Sequence, residues 1–193
     1  MMKTLIIFAH PGVSGPSIAN TRIIDKACQQ DGVAVRDLYR LYPDFKVDIE
    51  AEQAALAEAD LIILQYPFHW YSVPSLLKEW IDQVMRYGFA YGTDGDKLHG
   101  KGLMVSTTIG GPASSYCEEG HNHFEVETLL TPLHQTANFT GMRFLKPVVS
   151  HDMVLVPPEE ERKTAIESRA DDHALRLIAA IEQYQLSLMD AAA

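Results

Sequence analysis

Residues able to do chemistry gather in three stretches of this chain. The densest is Gln65-Tyr66-Pro67-Phe68-His69-Trp70-Tyr71-Ser72-Val73-Pro74, where five rings (Tyr66, Phe68, His69, Trp70, Tyr71) crowd one turn. Rings on a loop are costly to leave in water, so a flat ligand or a partner should cover them; the alternative is a loop that packs its own aromatics into a satellite cluster. The second stretch is His10-Pro11-Gly12-Val13-Ser14-Gly15-Pro16-Ser17-Ile18-Ala19-Asn20. Small residues there let the backbone approach a ligand closely. At the start of a helix, unpaired amides and the helix dipole favour an anion such as phosphate. Ser17 and Asn20 add side-chain donors, although Ser17 also reads as a plain N-cap. The third stretch is Thr107-Thr108-Ile109-Gly110-Gly111-Pro112-Ala113-Ser114-Ser115-Tyr116. Its paired glycines mark a close backbone approach or an ordinary turn, and its amides could bond the polar edge of a planar heterocycle.

Three other chemistries are set aside on spacing. Gly12-Val13-Ser14-Gly15-Pro16 begins like a nucleophile elbow, but the fifth position needs Gly and holds Pro16. His121 and His123 form one His-x-His without a paired-cysteine or second-histidine spacing beside it, which makes a poor zinc site. No G-x-G-x-x-G occurs, so the dinucleotide fingerprint is absent.

The elements that must position these stretches follow from periodicity. Residues 3–8 (KTLIIF), 33–38, 60–66, 102–108 (GLMVSTT) and 143–149 read as strands. Residues 17–30, 48–59, 74–86, about 125–139 and 159–188 have helical spacing, and residues 87–101 form an excursion or hairpin. Pro157-Pro158 punctuates the approach to the final helix. Alternating strands and helices imply βαβ units and a parallel sheet. Five strands and five helices match a doubly wound sheet of order 2-1-3-4-5, a flavodoxin-like three-layer α/β fold with helices on both faces. In that order the three stretches follow central strands, and their loops converge at the carboxyl edge where ligands bind. An aromatic wall, an anion loop and a glycine-lined polar edge together suit flavin mononucleotide, which is flat at one end and dianionic at the other.

The chain has 193 residues, 47% hydrophobic and 22% charged, which suits one well-buried domain over 1–193. Its net charge of −10, without a basic stripe, argues against nucleic acid as a partner. No apolar run approaches the roughly 20 residues of a spanning helix, so direct membrane insertion is not expected. The start runs straight into a strand pattern without a cleavage site, which makes the cytoplasm the expected location. Cys28 and Cys117 lie far apart and give no disulfide framework or metal spacing. Cys28 is expected to pack against the sheet, and Cys117, beside Tyr116, could be a reactive thiol.

Several blocks, in order, resemble the flavodoxin-like NAD(P)H:quinone oxidoreductases. They are Ala9-His10-Pro11, Ser17-Ile18-Ala19-Asn20, Leu41-Tyr42-Pro43-Asp44-Phe45, Gln65 to Pro74, Leu76-Leu77-Lys78-Glu79-Trp80-Ile81-Asp82 and Thr108-Ile109-Gly110-Gly111. The similarity is greatest to the bacterial branch containing the ancillary quinone reductases of glutathione-gated potassium efflux systems. The resemblance implies a homodimer that binds FMN or FAD between subunits and takes NADPH or NADH as co-substrate. Trp80 and residues 87–91 offer apolar surface for dimerisation. The resemblance further implies that His10, Ser17 and Asn20, with Ile18 and Ala19, hold the phosphate and ribityl chain. Pro67, Phe68, His69, Trp70 and Tyr71 would line the ring, and Thr108, Ile109, Gly110 and Gly111 its polar edge. Ile109 stands where the family has a second Thr, which removes a hydroxyl there. Tyr116 matches a tyrosine at the pyrimidine edge. The family's histidine falls at Asn122, flanked by His121 and His123, and Tyr116 with either histidine could stabilise charge or relay a proton. The implied reaction is ping-pong, two-electron reduction of a quinone or another flat acceptor. The alternative is a regulatory subunit of a potassium efflux transporter, peripheral to the inner membrane through that partner.

Overall fold

The computed structural model describes residues 2–12, 17–155 and 159–191. Residues 13–16, the middle of the expected anion loop and of the rejected elbow, lie outside the described residues, as do Pro157 and Pro158. The elements run β1 (Thr4–Phe8), α1 (Ile18–Ala27), β2 (Val33–Asp37), α2 (Leu38–Leu41), α3 (Ile49–Glu58), β3 (Leu61–Pro67), α4 (Ser75–Val84) and β4 (Gly102–Thr108). They continue with α5 (Val126–Leu129), α6 (Thr131–Phe139), β5 (Arg143–Phe144), β6 (Val148–Ser150) and α7 (Glu159–Ala191).

The central strands are apolar on both faces, and that dictates the layers. In β1, Leu5 and Ile7 turn to one side while Ile6 and Phe8 turn to the other. In β3 the split is Ile62, Leu64 and Tyr66 against Leu61 and Ile63; in β4 it is Leu103 and Val105 against Met104. A strand buried on both sides needs helices on both sides, which parallel crossovers supply. One core gathers Leu56, Leu76, Leu77, Trp80 and Leu133 from α3, α4 and α6. The other gathers Ile23, Ala27, Ile166, Ala170, Leu177 and Ile181 from α1 and α7. All strands are parallel in the order β2-β1-β3-β4-β5, the flavodoxin-like arrangement expected from the sequence.

Four local readings change. The expected fifth strand is two strands: β5 pairs with Gly102 and Leu103, and β6 pairs with Ser106 to Thr108. Pro147 between them has no amide to donate to the ladder. The expected helix over 125–139 breaks into α5 and α6 at Leu130, because Pro132 has no N–H for the preceding turn. The Thr131 hydroxyl takes over and donates to the Thr128 carbonyl at 2.7 Å. Trp80 is no dimer surface, since it is fully buried within the subunit. Cys28 does not pack against the sheet; it caps α1 and is exposed.

Trp80 is buried because Glu52 is. The Glu52 carboxylate is fully buried and accepts from Trp80 Nε1 at 2.9 Å, Arg36 Nε at 2.6 Å and the Tyr42 hydroxyl. This joins α3, α4, β2 and the turn after α2. A buried charge stripped of its partner is costly, by about 3 kcal/mol or more. Glu52→Ala is therefore expected to lower the unfolding free energy by about 3 kcal/mol in urea titration, and Glu52→Gln by less. An unchanged midpoint in Glu52→Ala would mean that the carboxylate holds nothing together.

Candidate functional site

The carboxyl ends of β1, β3 and β4 lie side by side, and one buried amide stitches their loops together. Asn20, in the first turn of α1, is 2% exposed. Its Nδ2 donates to Ser17 Oγ at 3.1 Å and to Thr108 Oγ1 at 2.9 Å, while its Oδ1 accepts from Gln65 Nε2 at 2.8 Å. Ser17 is also the N-cap of α1, accepting from Asn20 N at 3.0 Å. Both acceptor positions of the Ser17 oxygen are thus filled, and its O–H finds no acceptor among the described residues. The amides of Ile18 and Ala19 open the helix beside it.

His10, just past the carboxyl end of β1, is half-buried. Gly12, in the left-handed region at φ +62°, turns its amide back to donate to His10 Nδ1 at 3.1 Å. Burial lowers the His10 pKa, neighbouring His69 lowers it further, and Asp37 opposes both. A neutral His10 that accepts at Nδ1 carries its proton on Nε2.

The aromatic loop is held in strain. His69 and Ser72 exchange backbone hydrogen bonds of 3.1 and 2.9 Å, and Phe68 N donates to the Thr108 carbonyl at 2.9 Å. Between them Trp70 and Tyr71 both sit in the left-handed region, at φ 48° and 62°. For bulky residues this costs on the order of 1–3 kcal/mol each. Trp70 is 92% exposed, so no packing within the subunit offsets the cost. Within this loop Phe68 packs against the core, whereas Trp70 and Tyr71 lie open at the sheet edge.

On the third side, Ile109 is buried and its amide is committed to the Ser150 carbonyl at 2.8 Å. The open amides are those of Gly110 and Gly111, which have no acceptor among the described residues. A Cβ on Gly111 would come no nearer than 3.6 Å to the Tyr116 ring, so packing alone does not demand glycine there. Tyr116 stands over this turn, 6.4 Å from Phe68 and 5.3 Å from His151 between ring centroids. Burial raises its pKa and Tyr71 adds to the rise, so it stays a phenol.

Of the histidines read from the sequence, His121 is exposed, and His123 is exposed at φ 60° with its ring 3.4 Å from the Glu118 carbonyl of its own loop. The structure brings two other residues to the Tyr116 side. Asn122 accepts from the Tyr71 hydroxyl at 3.1 Å, and His151 lies 3.3 Å from the Gly111 carbonyl. His151 was missed, although its position directly after the last strand places it at the same sheet edge. Gln65 was read as part of the aromatic stretch, while its buried role as a tie went unseen.

The family model for the flavodoxin-like fold matches residues 2–174. The chain belongs to that family. The ancillary protein KefF of the glutathione-regulated potassium-efflux system of Klebsiella aerogenes is 42% identical over 187 residues, 94% of this chain and 98% of KefF. Among solved structures, general stress protein 14 of Treponema denticola, in complex with FMN, superposes with a TM-score of 0.82 at 34% identity, covering 92% of this chain and 99% of its own. An NADPH-quinone reductase from P. pentosaceus gives a TM-score of 0.75 at 28% identity, covering 90% of this chain and 96% of its own. The flavodoxin-like member described here thus resembles the quinone-reductase branch over nearly its whole length. None of its described helices is long and apolar enough to cross a membrane.

The histidines generate a pH prediction. Burial lowers the pKa of both His10 and His69 below 6.5. As pH falls through 6.5 the unfolded chain takes up these protons before the native state does, so both sites remove stability on the acid side. NMR titration should find both imidazoles neutral at pH 7. His69→Ala should raise the His10 pKa, because a like charge and some cover are lost; a fall in that pKa would contradict the assigned neighbours.

Proposed function

We propose that this protein is a flavin-dependent NAD(P)H:quinone oxidoreductase working as a homodimer, with FMN as its cofactor and FAD as the alternative. The observation that carries the proposal is the Asn20 tie, which brings an anion-binding helix start, a ring-lined loop and a turn with open amides to one sheet edge. The donor set fits a flavin nucleotide. The Ser17 hydroxyl, the Ile18 and Ala19 amides and His10 Nε2–H suit the phosphate and ribityl chain. Phe68, His69, Trp70 and Tyr71 suit the ring, and the Gly110 and Gly111 amides suit its polar edge. The FMN-bound Treponema denticola structure and the P. pentosaceus quinone reductase support the same reading.

When bound, a flavin would supply two-electron transfer from NADPH or NADH to a quinone, in a ping-pong order. The protein's part is orientation and electrostatics. Trp70 and Tyr71 exclude water from the ring face. The Gly110 and Gly111 amides donate where negative charge accumulates. Tyr116, held as a phenol, donates a hydrogen bond on the same side. His151, together with His121 or His123 from the outer loop, holds or moves a proton there. Exposed Tyr87 and Phe139 supply apolar area for the second subunit. The identity to the potassium-efflux ancillary protein favours a second role: docking on a transporter from the cytoplasm, at the inner membrane through that partner.

The test is an absorbance spectrum between about 300 and 550 nm, repeated anaerobically with NADPH. Flavin bands that bleach and return with a quinone are expected. Ser17→Ala should weaken FMN binding by about tenfold or more, since a hydrogen bond to a charged group contributes roughly 1.5–3 kcal/mol. No flavin bands, even after soaking with FMN and FAD, would sink the enzyme and leave the regulatory role.

A further inference from the structure

The Asn20 tie is one end of a longer buried chain. Gln65 Oε1 accepts from Ser106 Oγ at 2.5 Å. Ser106 Oγ lies 2.8 Å from Nε2 of His173, and Nδ1 of the same ring lies 2.8 Å from Ser150 Oγ. Ser150 Oγ accepts from Arg176 at 2.6 Å. Gln65, Ser106 and His173 are fully buried and Ser150 nearly so, whereas Arg176 reaches the surface beside Asp172. The chain therefore runs from α7, through β6, β4 and β3, to the start of α1. It enters the candidate site from behind the sheet.

Such a chain has two possible directions. In one, each group donates towards the site; in the other, every Ser, amide and imidazole proton is reversed. Its far end is not symmetric. Arg176 is an obligate donor that never loses its proton. With Ser150 Oγ receiving that bond, the Ser150 O–H has His173 Nδ1 as its acceptor. The neutral ring then carries its proton on Nε2 and donates to Ser106. Ser106 donates to Gln65, Gln65 to Asn20, and Asn20 to Ser17 and Thr108. The reversed chain would leave the Ser150 O–H without an acceptor among the described residues. Burial supports the neutral ring, pushing the His173 pKa down to about 3, with Arg176 adding to that effect and Asp172 opposing it.

The direction matters at the site. With both oxygens receiving from Asn20, the hydroxyl hydrogens of Ser17 and Thr108 point outward as donors. In the reversed chain they point inward to Asn20 and present lone pairs to the ligand, which repel an anion. We propose that His173 is a positioning residue for the cofactor site: relayed through Ser106, Gln65 and Asn20, its Nε2–H form orients the Ser17 and Thr108 hydroxyls as donors to the phosphate and ribityl oxygens of a flavin nucleotide. The proposal deepens the functional reading above and rests on it for the identity of the ligand.

The test compares the full-length wild type with His173→Phe, which removes both ring nitrogens, and His173→Gln, whose amide can accept from Ser150 and donate to Ser106. FMN and riboflavin affinities of each apoprotein are measured by flavin fluorescence, and the His173 tautomer of the wild type by nitrogen-15 NMR. Expected are an Nε2–H ring that stays neutral at pH 6, FMN binding weakened about tenfold or more in His173→Phe, a smaller loss for riboflavin, and recovery of most FMN affinity in His173→Gln. A flavin visible band shifted in His173→Phe and restored in His173→Gln is the second expected readout. If His173→Phe does not fold, Ser106→Ala cuts the same chain and should give the same FMN-selective loss. An Nδ1–H ring, or unchanged FMN affinity in a folded variant with the chain cut, overturns the proposal while leaving the oxidoreductase reading in place. A wild type that binds no flavin at all overturns both.

Discussion

The site depends on the burial of one carboxamide. Asn20 has been taken out of water, and a primary amide buried without partners costs several kcal/mol. Its three hydrogen bonds reach the N-cap of α1, the middle of the sheet at Gln65 and the end of β4 at Thr108. Those partners belong to three different loops or their supporting strands. Satisfying Asn20 and aligning the loops are therefore the same event. A helix start, a ring-lined turn and a glycine turn that would otherwise be independent surface features become one surface.

What surrounds that tie divides into rigid support and stored strain. Behind the sheet, α1 is pinned to α7: Arg22 reaches Asp171 with two nitrogens, Lys26 adds a second cation, and together they hold the Asp171 carboxyl well below the usual carboxylate range. On the other face, Glu52 ties α3 and α4 to β2 through three donors. Both devices hold helices that begin or end near the candidate site. In front of the sheet the opposite holds. Trp70 and Tyr71 accept left-handed backbone and exposure together, at the position where a planar ligand would cover them. A fold can carry that local cost because the strands beneath are buried on both faces.

The comparisons and the geometry address different questions. The family model and the similarity to a potassium-efflux ancillary protein give the family, and a flavin is the ligand proposed for it. The geometry says how this chain would meet that ligand with its own residues. Ile109 is a case in point. Its amide is committed to the Ser150 carbonyl, and the open amides beside it are those of the two glycines that follow.

Much was legible from the sequence alone. Continuous apolar runs such as 61–64 read as strands covered on both faces, and their alternation with helical spacing made the layer order legible. Residue types suggested a ligand class only in combination, since rings, small residues at a helix start and paired glycines each also have an ordinary structural use at a strand end. Where proline intervened, local pattern misled: Pro147 split the expected last strand and Pro132 the expected helix over 125–139 without altering the hydrophobic period. Tertiary structure decided which polar residues are buried and whom they face. Trp80 reads as surface until Glu52 is seen beneath it, His151 stands about 35 residues from the Tyr116 ring, and His173 stands 67 residues from the Ser106 hydroxyl. Hydrogen-bond direction across such distances is set by burial and by a fixed donor like Arg176. Neither leaves a trace in the order of residues, because both exist only once the strands lie side by side.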